Sequence, residues 1–267
     1  MTTANDVASE VSYEIGDAVA TITLNRPDAM NSLTSSMKSK LLAAVERARD
    51  DASVRAVLLT GRGRGFCAGQ DLREHADNLE RGRGLDDTVR RHYNPIVRAL
   101  TSMDKPVVAA VNGVAAGAGA ALAFACDFRV ASDRAKFAMA FSGIGLAPDS
   151  GASWTLQRLV GPARARELLL LGDVVDAGRA LELGLVSRVV PADEVLTVAR
   201  ELAVRLAQGP TRAYAATRRA LDYAASHSLS EALDLEAELQ DECAATADHA
   251  AATKAFVNKE QPRFDGR

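Results

Sequence analysis

The stretch Val107-Val108-Ala109-Ala110-Val111-Asn112-Gly113-Val114-Ala115-Ala116-Gly117-Ala118-Gly119-Ala120-Ala121-Leu122-Ala123-Phe124-Ala125-Cys126 carries no charge, and Asn112 is its one strongly polar side chain. On length alone it could cross a bilayer. Its internal punctuation argues against that. Asn112-Gly113 is a turn signal, and Gly117 and Gly119 interrupt an alanine-rich second half. The better reading is a buried strand over residues 107–111, a tight turn, and a buried helix from about Gly117. A fully apolar strand passing through a turn into a helix is the building unit of an α/β protein with a parallel sheet.

The flanking sequence repeats this alternation. Residues 11–24 alternate apolar and polar side chains around Gly16-Asp17, which reads as a hairpin. Thr34 is placed to cap a helix in which Met37, Leu41, Leu42, Val45 and Ala48 share a face. Residues 54–60 form a second apolar strand, ending in the basic loop Gly61-Arg62-Gly63-Arg64-Gly65. A polar, mobile segment is expected over residues 75–86 and a helix over 87–102. Short strands are expected at 128–131 and 136–138. Beyond Val190 the pattern becomes helical, over residues 192–207, 210–224 and 230–256. The expected organisation is an α/β core over residues 1–195 and a helical C-terminal region over 196–267.

Composition narrows the function. Hydrophobic residues make up 48% of the 267 and aromatics only 4%, so the core is built from Ala, Val and Leu. The 32 Lys and Arg nearly balance the 35 Asp and Glu. That gives no nucleic-acid or membrane surface, although a local basic pocket for an anionic ligand is compatible with it. Cys67, Cys126 and Cys243 are too widely spaced for a disulfide framework or a zinc site. With the polar N-terminus, residues 1–10, they point to a reducing cytoplasm.

Three segments are candidates for chemistry. Gly65-Phe66-Cys67-Ala68-Gly69-Gln70-Asp71-Leu72 follows a buried strand and is either a plain turn or a place where backbone meets a ligand. Gly117-Ala118-Gly119 is either a close helix contact or a source of free N–H groups. It is not a dinucleotide fingerprint, because the third glycine position is Leu122. In Gly145-Leu146-Ala147-Pro148-Asp149-Ser150-Gly151, Asp149 is either a turn residue or a base. Its apolar neighbours Ile144, Leu146, Ala147 and Trp154 favour a raised pKa and hence a base. The histidines at 75, 92, 227 and 249 lack metal-ligand spacing, and Cys67 has no histidine near it in sequence.

In this order, and with Leu24-Asn25-Arg26-Pro27 before them and Lys254-Ala255-Phe256-Val257-Asn258-Lys259 after them, these segments resemble the crotonase (enoyl-CoA hydratase/isomerase) superfamily. The resemblance implies a spiral of β-β-α turns with a helical C-terminal region. It also implies acyl-CoA thioester substrates, no redox cofactor or metal, and a homotrimer or hexamer. It places two oxyanion-hole donors on the backbone N–H groups of Gln70 and Ala118. It assigns Arg26, Ala68 and Arg73 to the nucleotide end of CoA, with Lys259 from a C-terminal helix. Asp71, Leu72, Gly117 and Phe141 are the remaining substrate contacts it implies.

The resemblance also bears on the reaction. Hydratases of this family use two glutamates, and an ungapped alignment puts those positions on Ala121 and Phe141. Neither side chain transfers a proton, so water addition lacks its acid–base pair. Asp149 falls where isomerase-type members carry an acid, and residues 144–151 resemble the ring-epoxide isomerases of phenylacetyl-CoA breakdown. The expectation is a double-bond shift with Asp149 as acid/base. Weak hydration and a non-catalytic acyl-CoA-binding subunit are the alternatives. An aspartate-nucleophile dehalogenase ranks below isomerisation, because its tryptophan and histidine positions fall on Phe141 and Ser142.

Overall fold

The computed structural model describes residues 9–267; most of the polar N-terminus, residues 1–8, lies outside them. The chain opens with the hairpin of β1 (Val11–Gly16) and β2 (Val19–Leu24). Its two turn residues are Asp17 and Ala18, both at positive φ (55° and 58°), one position later than the sequence suggests. Paired left-handed residues give a two-residue turn the twist its strands need. Thr34 caps α1 (Ser35–Asp50) through a hydrogen bond from Met37 N–H, and Met37, Leu41, Val45 and Ala48 are fully buried.

From there the chain winds in turns. β3 (Ala56–Gly61) enters a first sheet and β4 (Gly65–Cys67) a second. Helices α2 (Leu72–Glu80) and α3 (Asn94–Ser102) follow, joined through a π-helical turn at Val89–Tyr93. The next turn lays β5 (Val107–Val111) in the first sheet and β6 (Val114–Ala116) in the second, then α4 (Ala118–Phe124). The third lays β7 (Phe128–Ser132) and β8 (Lys136–Ala138), then α5 (Ala152–Leu171). Gly161 and Pro162 divide α5 into two helical runs, since Gly161 leaves the helical region at φ 76°. β9 (Val175–Asp176), α6 (Ala177–Glu182) and β10 (Arg188–Val190) complete the pattern. The first sheet runs β1-β2-β3-β5-β7-β10, parallel except for the hairpin, and the second runs β4-β6-β8-β9. This is the expected β-β-α spiral, and the 107–126 stretch proves to be β5, β6 and α4 rather than a span. No helix of the described residues is long and apolar enough to cross a membrane.

Helix α7 (Val195–Ala207) lies on one face of the first sheet, where Val195, Ala199 and Ala203 meet Leu58, Val108 and Val130. The remaining helices are α8 (Thr211–Ala224), α9 (Leu229–Ala244) and α10 (Ala247–Val257). The run expected over 230–256 is broken at Ala245–Thr246, where the Thr246 side chain caps α10. Arg218 of α8 ties this region to the core. It pairs with Asp127 at 3.0 Å and donates to the carbonyls of Leu100, Thr101, Met103 and Lys105.

Two local expectations are corrected. Residues 75–80 are helical, because Asp71 caps α2 by accepting from the N–H groups of Arg73 and Glu74. The expected turn at 112–116 contains strand β6, which pairs in parallel with β4 and β8.

Candidate active site

A cavity of about 110 Å³ lies where the three coils meet. The first coil brings Ala68, Gly69, Gln70 and Leu72, the second Gly117 and Ala118, and the third Phe141, Ile144, Leu146 and Asp149. Helix α2 adds His75, and the segment before α3 adds Leu85, Thr88 and Tyr93. Leu72, Leu85 and Ile144 are large apolar side chains left exposed, which makes an apolar rim.

Glycines bring the backbones together. A side chain on Gly119 would put its Cβ 2.1 Å from the Cys67 carbonyl oxygen, and one on Gly113 would stand 2.0 Å from that of Arg64. Gly69 is at φ 86°, and a Cβ there would lie 2.7 Å from Ala116 O and 3.4 Å from Ala118 N. The segments carrying Gln70 and Ala118 therefore touch through backbone. A side chain on Gly117 would meet nothing within 4 Å.

The orientation of Gln70 follows from its pairing. In the bridge between Leu33 and Gln70, Leu33 N–H donates to Gly69 O and Asp71 N–H donates to Leu33 O. Successive N–H groups of extended chain point to opposite sides, so the Gln70 N–H faces away from Leu33. Ala118 is the first residue of α4, where no earlier helical turn supplies an acceptor for its N–H.

Asp149 is the one carboxylate among the described residues lining the cavity. The chain behind it turns through Ser150 (φ 51°) and Gly151 (φ 74°). Burial pushes the Asp149 carboxyl above the usual range, only partly opposed by a 2.8 Å hydrogen bond from Ser150 Oγ and by the Lys38 charge. A carboxylate in that state holds a proton more strongly than an exposed one, which suits it to taking a proton and returning it.

The other sequence candidates divide. Ala68, Leu72, Gly117 and Phe141 line the cavity; Arg26, Asp71, Arg73 and Lys259 do not. Asp71 is largely buried and committed to structure. It caps α2 and accepts from Ser32 Oγ at 3.0 Å and Arg26 Nη1 at 2.9 Å. Burial works to raise its pKa, but these hydrogen bonds outweigh it and hold the carboxyl low. Arg26 is engaged by the same pair and donates to Ser32 O at 2.6 Å. Arg73 and Lys259 are exposed, with no ion-pair partner among the described residues. Ala121 is fully buried one turn into α4 and away from the lining. Cys67 is a strand residue, and burial pushes its thiol up to about 12, which removes it as a nucleophile. Among the described residues no three His, Cys, Asp or Glu side chains are grouped as metal ligands.

The sequence reading missed a buried polar cluster behind Gln70. Lys38, only 1% exposed, donates to Gln70 Oε1 (3.0 Å) and to Thr88 Oγ1 (2.5 Å), and Tyr93 Oη donates to the same Gln70 oxygen (2.8 Å). Lys38 stands directly after Met37 on the apolar face of α1, the only signal available in sequence.

Residues 14–267 match the family model described as enoyl-CoA hydratase/isomerase. The chain belongs to the enoyl-CoA hydratase/isomerase family. A protein of Rhodobacter capsulatus named "Probable enoyl-CoA hydratase" is 44% identical over 96% of this chain and 98% of its own. The "1,2-epoxyphenylacetyl-CoA isomerase" of Escherichia coli K12 is 43% identical over 93% of this chain and 95% of its own. Among solved structures, an enoyl-CoA hydratase/isomerase of Mycobacterium abscessus superposes with a TM-score of 0.93 at 45% identity, covering 96% of this chain and all of that one. The resemblance to the crotonase superfamily and its spiral fold therefore holds over nearly the whole chain. As a family member the protein is an acyl-CoA enzyme, and its relatives carry both hydratase and isomerase names.

Proposed function

We propose that this family member shifts a carbon–carbon double bond within an enoyl-CoA thioester. The observation carrying this reading is that Asp149 is the single carboxylate lining the cavity among the described residues, held in a largely apolar wall. One acid/base group suffices for a 1,3-proton shift. Asp149 removes the α-proton, the electron pair delocalises onto the thioester oxygen as a dienolate, and Asp149 returns the proton at the γ-carbon. The backbone N–H groups of Gln70 and Ala118 are the proposed donors to that oxygen, and one such donor is worth about 3–4 kcal/mol in the transition state. The chemistry needs no metal or redox cofactor.

Hydration would need a second group to activate water, and Phe141 stands where the resemblance places one of the two hydratase glutamates. The isomerase name of the 43% identical Escherichia coli protein also favours isomerisation. We assign the CoA moiety to the side of Arg26, Ala68 and Arg73, with Lys259 contributed by the C-terminal helices. The 196–267 region is taken to build a trimer or hexamer, since Leu221, Leu229, Leu233, Phe256 and Val257 expose large apolar surfaces on α8, α9 and α10.

The test is to incubate the protein with a 3-enoyl-CoA and a 2-enoyl-CoA and follow products by mass spectrometry and ultraviolet absorbance. Conversion of the 3-enoyl ester to the conjugated isomer, lost in Asp149→Asn, supports the reading. Hydration of the 2-enoyl ester that survives in Asp149→Asn overturns it in favour of the hydratase named in Rhodobacter capsulatus.

A further inference from the structure

We propose that Lys38 is a positioning residue of this site: with the Tyr93 hydroxyl it grips the side-chain oxygen of Gln70 and so holds in place the residue whose backbone N–H, aimed by the Leu33 bridge, donates to the thioester carbonyl. The inference rests on the oxyanion role of Gln70 given above.

Lys38 is 1% exposed, yet among the described residues no carboxylate lies within ion-pair distance of its ammonium. Burying an unpaired charge is costly, and a leucine or methionine would fill the same space without that cost. The ammonium is committed to two neutral oxygens, Gln70 Oε1 at 3.0 Å and Thr88 Oγ1 at 2.5 Å, and stands 5.0 Å from the centre of the Tyr93 ring. Tyr93 donates to Gln70 Oε1 from another element, the π-helical turn before α3. At the other end of the amide, Gln70 Nε2 donates to Asp71 O at 3.3 Å. The Gln70 side chain is thus held at both oxygen and nitrogen, which restrains where the residue sits, while the Leu33 bridge sets the plane of its N–H. Thr88 is oriented in turn, since its hydroxyl meets His92 Nδ1 at 3.1 Å. Hydrogen bonds from a buried cation are stronger than neutral ones, which suits a clamp on a donor that must already be aimed when charge develops.

The test compares wild type with Lys38→Met, Lys38→Arg and Tyr93→Phe. Thermal unfolding confirms that each is folded, and Tyr93→Phe, which removes one hydroxyl without changing shape, keeps the question answerable if Lys38→Met does not fold. The first readout is the infrared carbonyl band of a bound, ¹³C-labelled saturated acyl-CoA, which needs no turnover. The second is isomerase kinetics. We expect a band lowered by polarisation in wild type, less lowered in Tyr93→Phe and unshifted in Lys38→Met, with Lys38→Arg recovering part of the effect. In the kinetics, kcat should fall about 100-fold in Lys38→Met at nearly constant KM, as for a misaimed catalytic group. A polarised band retained in both Lys38→Met and Tyr93→Phe overturns the positioning role and leaves the proposed function standing. A band lost in the variants of a protein that isomerises nothing supports the positioning role and overturns the isomerase reading. An unpolarised band in wild type overturns both.

Discussion

Gly119 faces the Cys67 carbonyl oxygen so closely that a Cβ on Gly119 would stand 2.1 Å from it. No atom pair tolerates that distance, so α4 and β4 are held at a separation that only hydrogen permits. The second coil is thereby seated on the first, and the two proposed oxyanion donors lie on either side of the contact.

Gly119→Ala should therefore force the coils apart. Overpacking of a buried site costs about 1–3 kcal/mol, and a displacement of the donors by about 1 Å is expected to lower kcat about 100-fold. Urea denaturation and isomerase kinetics on one preparation check both. A variant with wild-type kcat would show that the spacing is not needed for the reaction.

Asp149→Asn should lose at least about 100-fold in kcat, the lower end of what a positioned acid or base contributes. In wild type the acid limb of kcat/KM should lie above the ordinary aspartate range, because burial raises the carboxyl and Ser150 and Lys38 only partly compensate. A limb at or below the exposed-aspartate value would assign the proton transfer elsewhere.

The same substitution should stabilise the fold at neutral pH. Asp149 binds its proton more tightly folded than unfolded, so the folded state holds more protons between the two pKa values. Wild-type stability must then fall as pH rises from the unfolded value through the folded one, and stay lowered above it. Asp149→Asn lacks that loss. The gap between variant and wild type should be largest near pH 7 and close in acid, as measured by urea midpoints across pH. A constant gap would mean that the carboxyl is not raised.

Arg218→Leu should destabilise the protein by about 3 kcal/mol, the cost of leaving one member of a largely buried pair uncompensated. Asp127 is the group left behind. Burial already raises its pKa, with Arg218 the main opposing influence. Four carbonyls from Leu100 to Lys105 also lose a donor. A loss confined to α8, seen by amide exchange without a change in global stability, would show that the pair anchors only the helix.

Much of this architecture could be read in advance because burial writes itself into composition. The strands at 107–111 and 136–138, the Thr34 cap and the α/β alternation all come from local pattern. Apart from β8, the second sheet could not be read that way. β4 and β6 are three residues each, and their pairing joins positions far apart in sequence, so they look like turns. Helix α2 was hidden for a different reason: it buries none of its residues and is held by the Asp71 cap. Within the site, Asp149, Ala68, Gly117 and Phe141 were legible through the family motifs. Asp71 and Arg26, expected at the ligand, also pair with each other, which the sequence does not show. Lys38 stayed hidden because a lysine on a helix ordinarily snorkels to solvent, and only the fold turns this one inward.

The spiral has one more consequence. Gln70, Ala118 and Asp149 are each delivered by a different coil, and each coil is braced by its own strands in both sheets. The site works like a lock with separately mounted tumblers. Replacing what the third coil presents, while the first two keep their proposed backbone donors aimed, would change the reaction without rebuilding the scaffold. New chemistry can thus be explored one coil at a time, with the proposed holder of the thioester oxygen left undisturbed.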